Sequence, residues 1–184
     1  LELTGKTFSV LGYGAIGRRA AAIAAAFGMK VIACARRPAP EAGAVTFVTR
    51  EELFARSDVL SLHCPLTEET RHCVDAAALA SMKPSAIVIN TARGPLVDSL
   101  AMAEALAAGA IAGYGADVMP EEPPAGDDPL LSAPGAVITP HIAWATDGAM
   151  RRIVDMTVGN VLAFAAGRPE HVVNGVVGGA AGGL

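Results

Sequence analysis

The 184 residues contain no apolar run long enough to cross a bilayer. The longest, Ala20 to Met29, is mostly alanine and is bounded by Arg19 and Lys30, whereas a spanning helix needs roughly 20 apolar residues. The mean hydropathy of +0.43 therefore reports a large core, and no membrane partner is expected. Basic charge is scarce and scattered: 14 Lys and Arg stand against 18 Asp and Glu, for a net charge of −4. Without a Lys/Arg cluster there is no electrostatic footprint for nucleic acid or anionic lipid. Cysteine is sparse too. Cys34, Cys64 and Cys73 show no C-x-x-C spacing, which argues against a disulfide framework or a thiolate zinc site and for reduced thiols in or near a core. Charged residues are 17% of the chain and hydrophobic ones 52%, the reverse of a disordered composition. The opening Leu1-Glu2-Leu3-Thr4-Gly5-Lys6 lacks the charged-then-apolar design of a secretion signal, so the expected location is the cytoplasm. A chain of this length has room for one sizeable core.

What is present is alternation. Apolar runs at Thr7–Leu11, Lys30–Cys34, Val59–Leu62, Ala86–Asn90, Ile111–Val118 and Ala136–Thr139 read as strands. Between them lie helical patterns at Ala15–Phe27, Glu51–Ala55 and Asp75–Ser81, and one that Asp98 caps and Gly109 ends. A last long helix starts near Thr146, carries Met150, Ile153, Val154, Val161 and Phe164, and stops at Gly167 and Pro169. Short strands apolar on both faces and separated by helices belong in a parallel sheet. The expected fold is α/β, a doubly wound parallel sheet, with residues 1–171 as a dinucleotide-binding domain. The Gly- and Val-rich stretch 172–184 is expected to be poorly ordered.

Gly12-x-Gly14-x-x-Gly17 follows the first strand and opens the first helix, the context in which this spacing cradles a dinucleotide. Gly12 allows the tight turn, Gly14 the approach of a pyrophosphate, and Gly17 close packing of helix on strand. Amide groups at the helix start then face the phosphates. A ligand-free turn is the plainer alternative. About 20 residues on, where an acid would accept hydrogen bonds from the adenosine ribose, the chain reads Cys34-Ala35-Arg36-Arg37, with no acid before Glu41. Guanidinium groups there suit a 2′-phosphate. NADP is thus the expected cofactor and NAD the possible alternative, unless Arg36 and Arg37 are solvated loop residues.

Further segments carry a resemblance. Ser57 through Thr67 with Thr70, Met82-Lys83-Pro84 and Asn90 through Asp98, Gly113–Val118 with Glu122-Pro123, and Thr139-Pro140-His141 together resemble the D-isomer-specific 2-hydroxyacid dehydrogenases, to about Asn174. The run Thr139 to Thr146 is similar to the D-glycerate dehydrogenase and hydroxypyruvate or glyoxylate reductase members. The resemblance implies a catalytic set of Arg93, Glu122 and His141. Reduction of a 2-keto acid develops negative charge on the carbonyl oxygen, so a proton donor must stand there, and His141 suits that task. A paired carboxylate, Glu122, favours and orients the charged imidazole. Arg93 offers a planar cation for the substrate carboxylate and carbonyl. Singly, each of the three also reads as an ordinary polar surface group.

The cofactor contacts implied are Ala15 and Ile16, Cys64 and Pro65, Thr70, Thr91-Ala92-Arg93, Asp117 toward the nicotinamide carboxamide, and His141 with Ala143 and Trp144. Asp98 is assigned to helix capping. His63-Cys64 and His72-Cys73 do not make a metal site, because adjacent strand residues point to opposite faces.

The chain departs from the family pattern at Ala35, which replaces the usual acid, at Met119, where an aromatic is common, and at Trp144, where a small residue is frequent. The stretch from Glu122 to His141 is also somewhat short. Family members form a further substrate domain mostly from residues preceding the equivalent of Leu1, so that domain is expected to be largely missing here. The implied partners are a small-molecule substrate and a second copy in a homodimer. Two other readings compete. One is formate dehydrogenase, in which a glutamine typically accompanies the histidine, against Glu122. The other is a dinucleotide-sensing corepressor on the same scaffold.

Overall fold

Among the described residues, seven short strands, apolar on alternating or on both faces, pair in parallel throughout. They are β1 (Thr7–Leu11), β2 (Lys30–Cys34), β3 (Thr46–Phe47), β4 (Val59–Leu62), β5 (Ile87–Asn90), β6 (Gly113–Ala116) and β7 (Ala136–Ile138). The computed structural model describes residues 2–37 and 45–173. Strand order is β3-β2-β1-β4-β5-β6-β7, so the winding reverses between β1 and β4. Ligands of open α/β sheets bind outside the carboxyl ends of the strands at such a reversal. The doubly wound parallel sheet anticipated from the sequence is therefore the fold.

Among the described residues, five α-helices accompany the strands: α1 (Ala15–Ala26), α2 (Arg50–Arg56), α3 (Ala76–Ser81), α4 (Ser99–Ala107) and α5 (Asp147–Ala165). Their starts are set by side chains. Thr49 and Glu52 form a reciprocal capping box on α2, Asp75 accepts from Ala78 N–H on α3, and Asp98 accepts from Leu100 and Ala101 N–H, both at 3.1 Å, on α4. The capping role assigned to Asp98 thus holds. Gly109, at φ +66°, follows the end of α4.

Residues 1–141 form one unit and 142–184 a second. In the first, Val10, Val31 and Ala33 pack with Ala21 and Ala24 of α1. Leu11, Ile32, Leu60 and Leu62 join Leu53, Phe54, Leu79, Met102 and Leu106 from α2, α3 and α4. Alternation along β1 and β2 thus feeds two cores. The small residues Gly17, Ala21 and Ala24 are the buried stripe of α1. A Cβ on Gly17 would overlap the Gly12 carbonyl oxygen, so helix and first turn meet only through glycine. Asp58 ties the strand entrances together, accepting from Thr7 N–H at 2.8 Å and pairing with Lys83 Nζ at 3.0 Å. In the second unit, Thr146 caps α5 by accepting from Ala149 N–H, and Gly167 at φ +70° follows its end.

Two details differ from the sequence reading. The strand expected over Ile111–Val118 pairs only from Gly113 to Ala116. Asp117 instead engages Thr139, and the Met119 amide is taken by a carboxylate. The two-residue β3 pairs Thr46 with Ile32 and Phe47 with Ala33, which is too short to show a period. Most of the stretch expected to be poorly ordered, from 174 onward, lies outside the described residues.

Candidate active site

Two clefts open at the carboxyl ends of the strands. The first, of about 480 Å³, lies beyond β1, β2 and β4 and brings together Gly12, Gly14, Ala35, Arg36, Arg37, Cys64, Pro65 and Thr70. Gly12 has φ +96°, and a Cβ there would stand 2.5 Å from the Cys64 amide nitrogen, so the turn is built on contact with the end of β4. At Gly14 a Cβ would meet nothing within 4 Å. The space over Gly14 is open, as close approach of a phosphate requires. Ala15 and Ile16 begin α1, whose first turn carries no acidic side chain, leaving its amide groups and dipole to an anion. The cleft fits a dinucleotide pyrophosphate on these grounds.

At the β2 end, Ala35 is half-buried while Arg36 and Arg37 are exposed. Sequence reasoning missed two charged residues that line the same cleft, Arg50 and Glu69, because both come from segments outside the glycine motif. Thr70 Oγ donates to the Pro65 carbonyl at 2.7 Å and accepts from Thr67 N–H at 2.7 Å, which fixes the loop after β4. His63 Nε2 lies 2.9 Å from Ser61 Oγ, and burial pushes its imidazole below its ordinary value.

The second cleft, of about 450 Å³, is formed after β6 and β7 and holds Asp117, Glu122, Thr139 and His141. His141 Nδ1 lies 2.7 Å from Glu122 Oε2, while Met119 N–H donates to Glu122 Oε1 at 3.1 Å. Both carboxylate oxygens are thereby engaged. The His141 hydrogen bond and then that of Met119 hold Glu122 below the usual carboxylate range. His141 has φ +54°, a left-handed conformation uncommon outside glycine, and its N–H donates to the Thr139 carbonyl at 3.0 Å. The carboxylate at Nδ1 fixes the orientation of the ring. Asp117 is buried and accepts from Thr139 Oγ.

Thr91, Ala92 and Arg93 follow β5, between these clefts in strand order. Arg93 Nη1 is turned onto the Ala92 carbonyl at 2.6 Å. Buried Asn90 organises this loop, donating to the Arg93 carbonyl at 2.9 Å and accepting from Ala92 N–H at 3.1 Å. A polar residue at the end of the apolar run Ile87-Val88-Ile89 is a signal that could have singled it out. Ala143 and Trp144 fall in the second unit, in the turn closed by Ala145 N–H to the Ile142 carbonyl at 2.9 Å. Among the described residues, no group of three or more His, Cys, Asp or Glu side chains is placed to hold a metal ion.

Residues 1–143 match the family described as "D-isomer specific 2-hydroxyacid dehydrogenase, NAD binding domain". The chain is 43% identical over 176 residues to a hydroxypyruvate reductase of Blautia hydrogenotrophica, covering 95% of this chain and 55% of that protein. It is 45% identical over 174 residues to a glycerate dehydrogenase of Methylorubrum extorquens, covering 94% and 54%. The crystal structure of the TT0316 protein from Thermus thermophilus superposes with a TM-score of 0.87 at 44% identity, over 93% of this chain and 54% of that one. The NAD-complexed D-isomer specific 2-hydroxyacid dehydrogenase of Lactobacillus delbrueckii ssp. bulgaricus superposes at 0.85 with 34% identity, over 95% and 57%. The chain spans about half the length of the curated relatives it matches.

Proposed function

Because the chain belongs to the D-isomer specific 2-hydroxyacid dehydrogenases as their NAD-binding domain, we propose that it serves a reductase of small 2-keto acids, of the hydroxypyruvate or glyoxylate class. The observation that carries this reading is the Glu122–His141 pair at 2.7 Å, set beside buried Asp117 on a cleft at the carboxyl end of the sheet. The nicotinamide, when bound, supplies the hydride. His141 gives the proton from Nε2 to the substrate carbonyl oxygen while Glu122 holds Nδ1, so that charge developing on that oxygen is neutralised as it forms. Asp117, oriented by Thr139, would accept a hydrogen bond from the carboxamide. Arg93 swings from the Ala92 carbonyl to clamp the substrate carboxylate. The amides of Ala15 and Ile16 would hold a pyrophosphate, and Pro65 and Thr70 line the same cleft.

Arg36 and Arg37, with no acid at Ala35, favour NADP over NAD. The relatives are named for reductase and dehydrogenase activities, and neither they nor the site favours a corepressor. The glutamate at 122 weighs against formate dehydrogenase. The same reading makes residues 1–171 the dinucleotide-binding domain. It assigns the substrate domain to sequence outside this chain and the whole protein to a cytoplasmic homodimer. The test compares this chain with a version extended at its N-terminus, assayed with hydroxypyruvate. Both are expected to bind dinucleotide, and the shorter chain to turn over far more slowly, since positioning accounts for roughly 7 to 11 kcal/mol of such a barrier. Equal rates sink the idea.

A further inference from the structure

We propose that Arg50 is a further determinant of cofactor choice: its guanidinium, delivered from the start of α2, holds the 2′-phosphate of NADP together with Arg36. That role rests on the dinucleotide reading of the first cleft. β3 pairs with β2 through Thr46 opposite Ile32 and Phe47 opposite Ala33, and Val48 N–H donates to the Ala33 carbonyl at 3.0 Å. Three residues beyond Ala33 the chain reaches Arg36, and three residues beyond Phe47 it reaches Arg50. The two arginines thus leave the carboxyl ends of neighbouring parallel strands, which run about 4.8 Å apart. Both line the first cleft, as do Ala35 and Arg37, and the end of the second strand is where the adenosine ribose of a dinucleotide lies.

Helix chemistry alone would not put an arginine at this position. The first turn of an α-helix favours acids and disfavours cations. Glu51 and Glu52 obey that rule, and Thr49 and Glu52 supply the cap, so Arg50 is not needed to start α2. The capping box does fix where Arg50 leaves the backbone: Glu52 N–H donates to Thr49 Oγ at 3.2 Å, and Thr49 N–H donates to Glu52 Oε2 at 3.1 Å. Among the described residues the salt bridges are Lys83–Asp58 and His141–Glu122, and neither engages Arg36, Arg37 or Arg50. Glu69 is the acid that lines the cleft with them, so three guanidinium groups stand against one carboxylate. Burial raises the Cys34 thiol at the end of β2, and the charge of Arg50 opposes that rise, in keeping with a cation set beside the end of that strand.

A phosphate monoester at neutral pH carries a charge of about −1.5 to −2 and three strong acceptor oxygens. One guanidinium fork engages two of those oxygens, so a second fork from a separate strand completes the set. NAD presents an uncharged ribose hydroxyl at the same place, and a cation there gains little from it. Arg50 therefore separates the two dinucleotides by the 2′-phosphate alone. The pyrophosphate contacts belong to the glycine turn, and the nicotinamide contacts to residues beyond β6 and β7, so neither depends on Arg50.

The test is calorimetric titration of the chain with NADPH and NADH, and with adenosine 2′,5′-bisphosphate and 5′-AMP as the matching fragments. Arg50→Ala should weaken NADPH and the bisphosphate about tenfold, the lower end for a hydrogen bond to a charged group, and leave NADH and 5′-AMP where they were. Unchanged affinity for NADH also shows that the variant is folded. Arg50→Lys keeps the charge and loses the fork, so it should fall between parent and Arg50→Ala. Arg56→Ala removes the same charge from the other end of α2, away from the first cleft, and should behave as the parent. Equal loss of NADPH and NADH in Arg50→Ala, no loss of either, or an equal effect of Arg56→Ala overturns the proposal and leaves the dinucleotide reading standing. A chain that binds neither dinucleotide overturns that reading and the part of Arg50 with it.

Discussion

Gly94 and Met119 are in such close contact that a Cβ on Gly94 would overlap the Met119 carbonyl group. Arg93 immediately precedes that glycine, and the Met119 amide is bonded to Glu122. The loop after β5 and the loop after β6 are thus fastened to each other between two members of the proposed catalytic set.

Gly94→Ala is expected to push these loops apart. Overpacking typically costs about 1 to 3 kcal/mol, and thermal unfolding of this chain should register it as a lower Tm. In the extended protein the same change should lower reduction by more than the lost stability explains, since Arg93 and Glu122 move relative to each other. A variant with parental Tm and rate would show that the contact relaxes at no cost.

His141→Ala in the extended protein should reduce turnover about 10² to 10⁴-fold, the usual worth of a general acid, with little change in cofactor affinity. The pH dependence follows from its partner. Glu122 is depressed by its hydrogen bonds from His141 and Met119, so it stays charged as pH falls until below the ordinary carboxylate value of about 4.3. Loss of activity through its protonation should begin only there. Glu122→Gln removes the carboxylate that orients the His141 ring, and the rate of reduction should fall. An unchanged rate would reassign the carboxylate role to Glu121 or to no residue.

The parts of this site differ in how far the sequence exposes them. Gly12, Gly14 and Gly17 are legible because the demand is local: a positive φ, an open approach and a helix pressed on a strand fall within six residues. Asp98 is legible as a cap for the same reason. Glu122 and His141, by contrast, are 19 residues apart, joined only because β6 and β7 pair side by side. No periodicity encodes that, and only the family resemblance brought them together. Gly94 stands in the sequence only as one residue of a matching stretch, because the clash that requires a glycine there comes from Met119, which is remote in sequence. The role of Asn90 is not legible for a related reason, since its partners lie in a loop whose path the strand pattern does not reveal.

Asp58 offers a test of the scaffold apart from catalysis. Burial works to raise its carboxyl, but the Thr7 N–H and Lys83 outweigh it and hold it below its ordinary value. A folded-state value below the unfolded one contributes stability above the unfolded value of about 3.9, lost as pH falls through the depressed folded value. Asp58→Asn should therefore cost about 1.5 to 3 kcal/mol at neutral pH, the range for a hydrogen bond to a charged group, and much less near pH 3. Lys83 is more than a third exposed, so Lys83→Met should cost only about 0.2 to 1 kcal/mol. Urea unfolding of the two variants across that pH range decides it; equal costs at both pH values would mean that the charge on Asp58 contributes nothing.

The cofactor prediction sets two cations against one acid. Arg36 and Arg37 line the first cleft together with half-buried Ala35, and Arg50 and Glu69 line it as well. Without an acid at 35 the adenosine ribose loses an acceptor and a 2′-phosphate loses a repulsion, so both changes favour NADPH. Charge-assisted hydrogen bonds contribute about 1.5 to 3 kcal/mol each, enough for a preference of roughly 10- to 100-fold. Glu69 is the opposing charge, and Glu69→Gln should widen the preference, whereas Arg36→Ala should narrow it and Ala35→Asp should reverse it toward NADH. Titration of both cofactors at low and moderate salt separates these effects, because the arginine contribution to a phosphate weakens with ionic strength. Wild-type protein that binds NADH as tightly as NADPH would make the two arginines solvated surface charges and leave this loop without a part in cofactor choice.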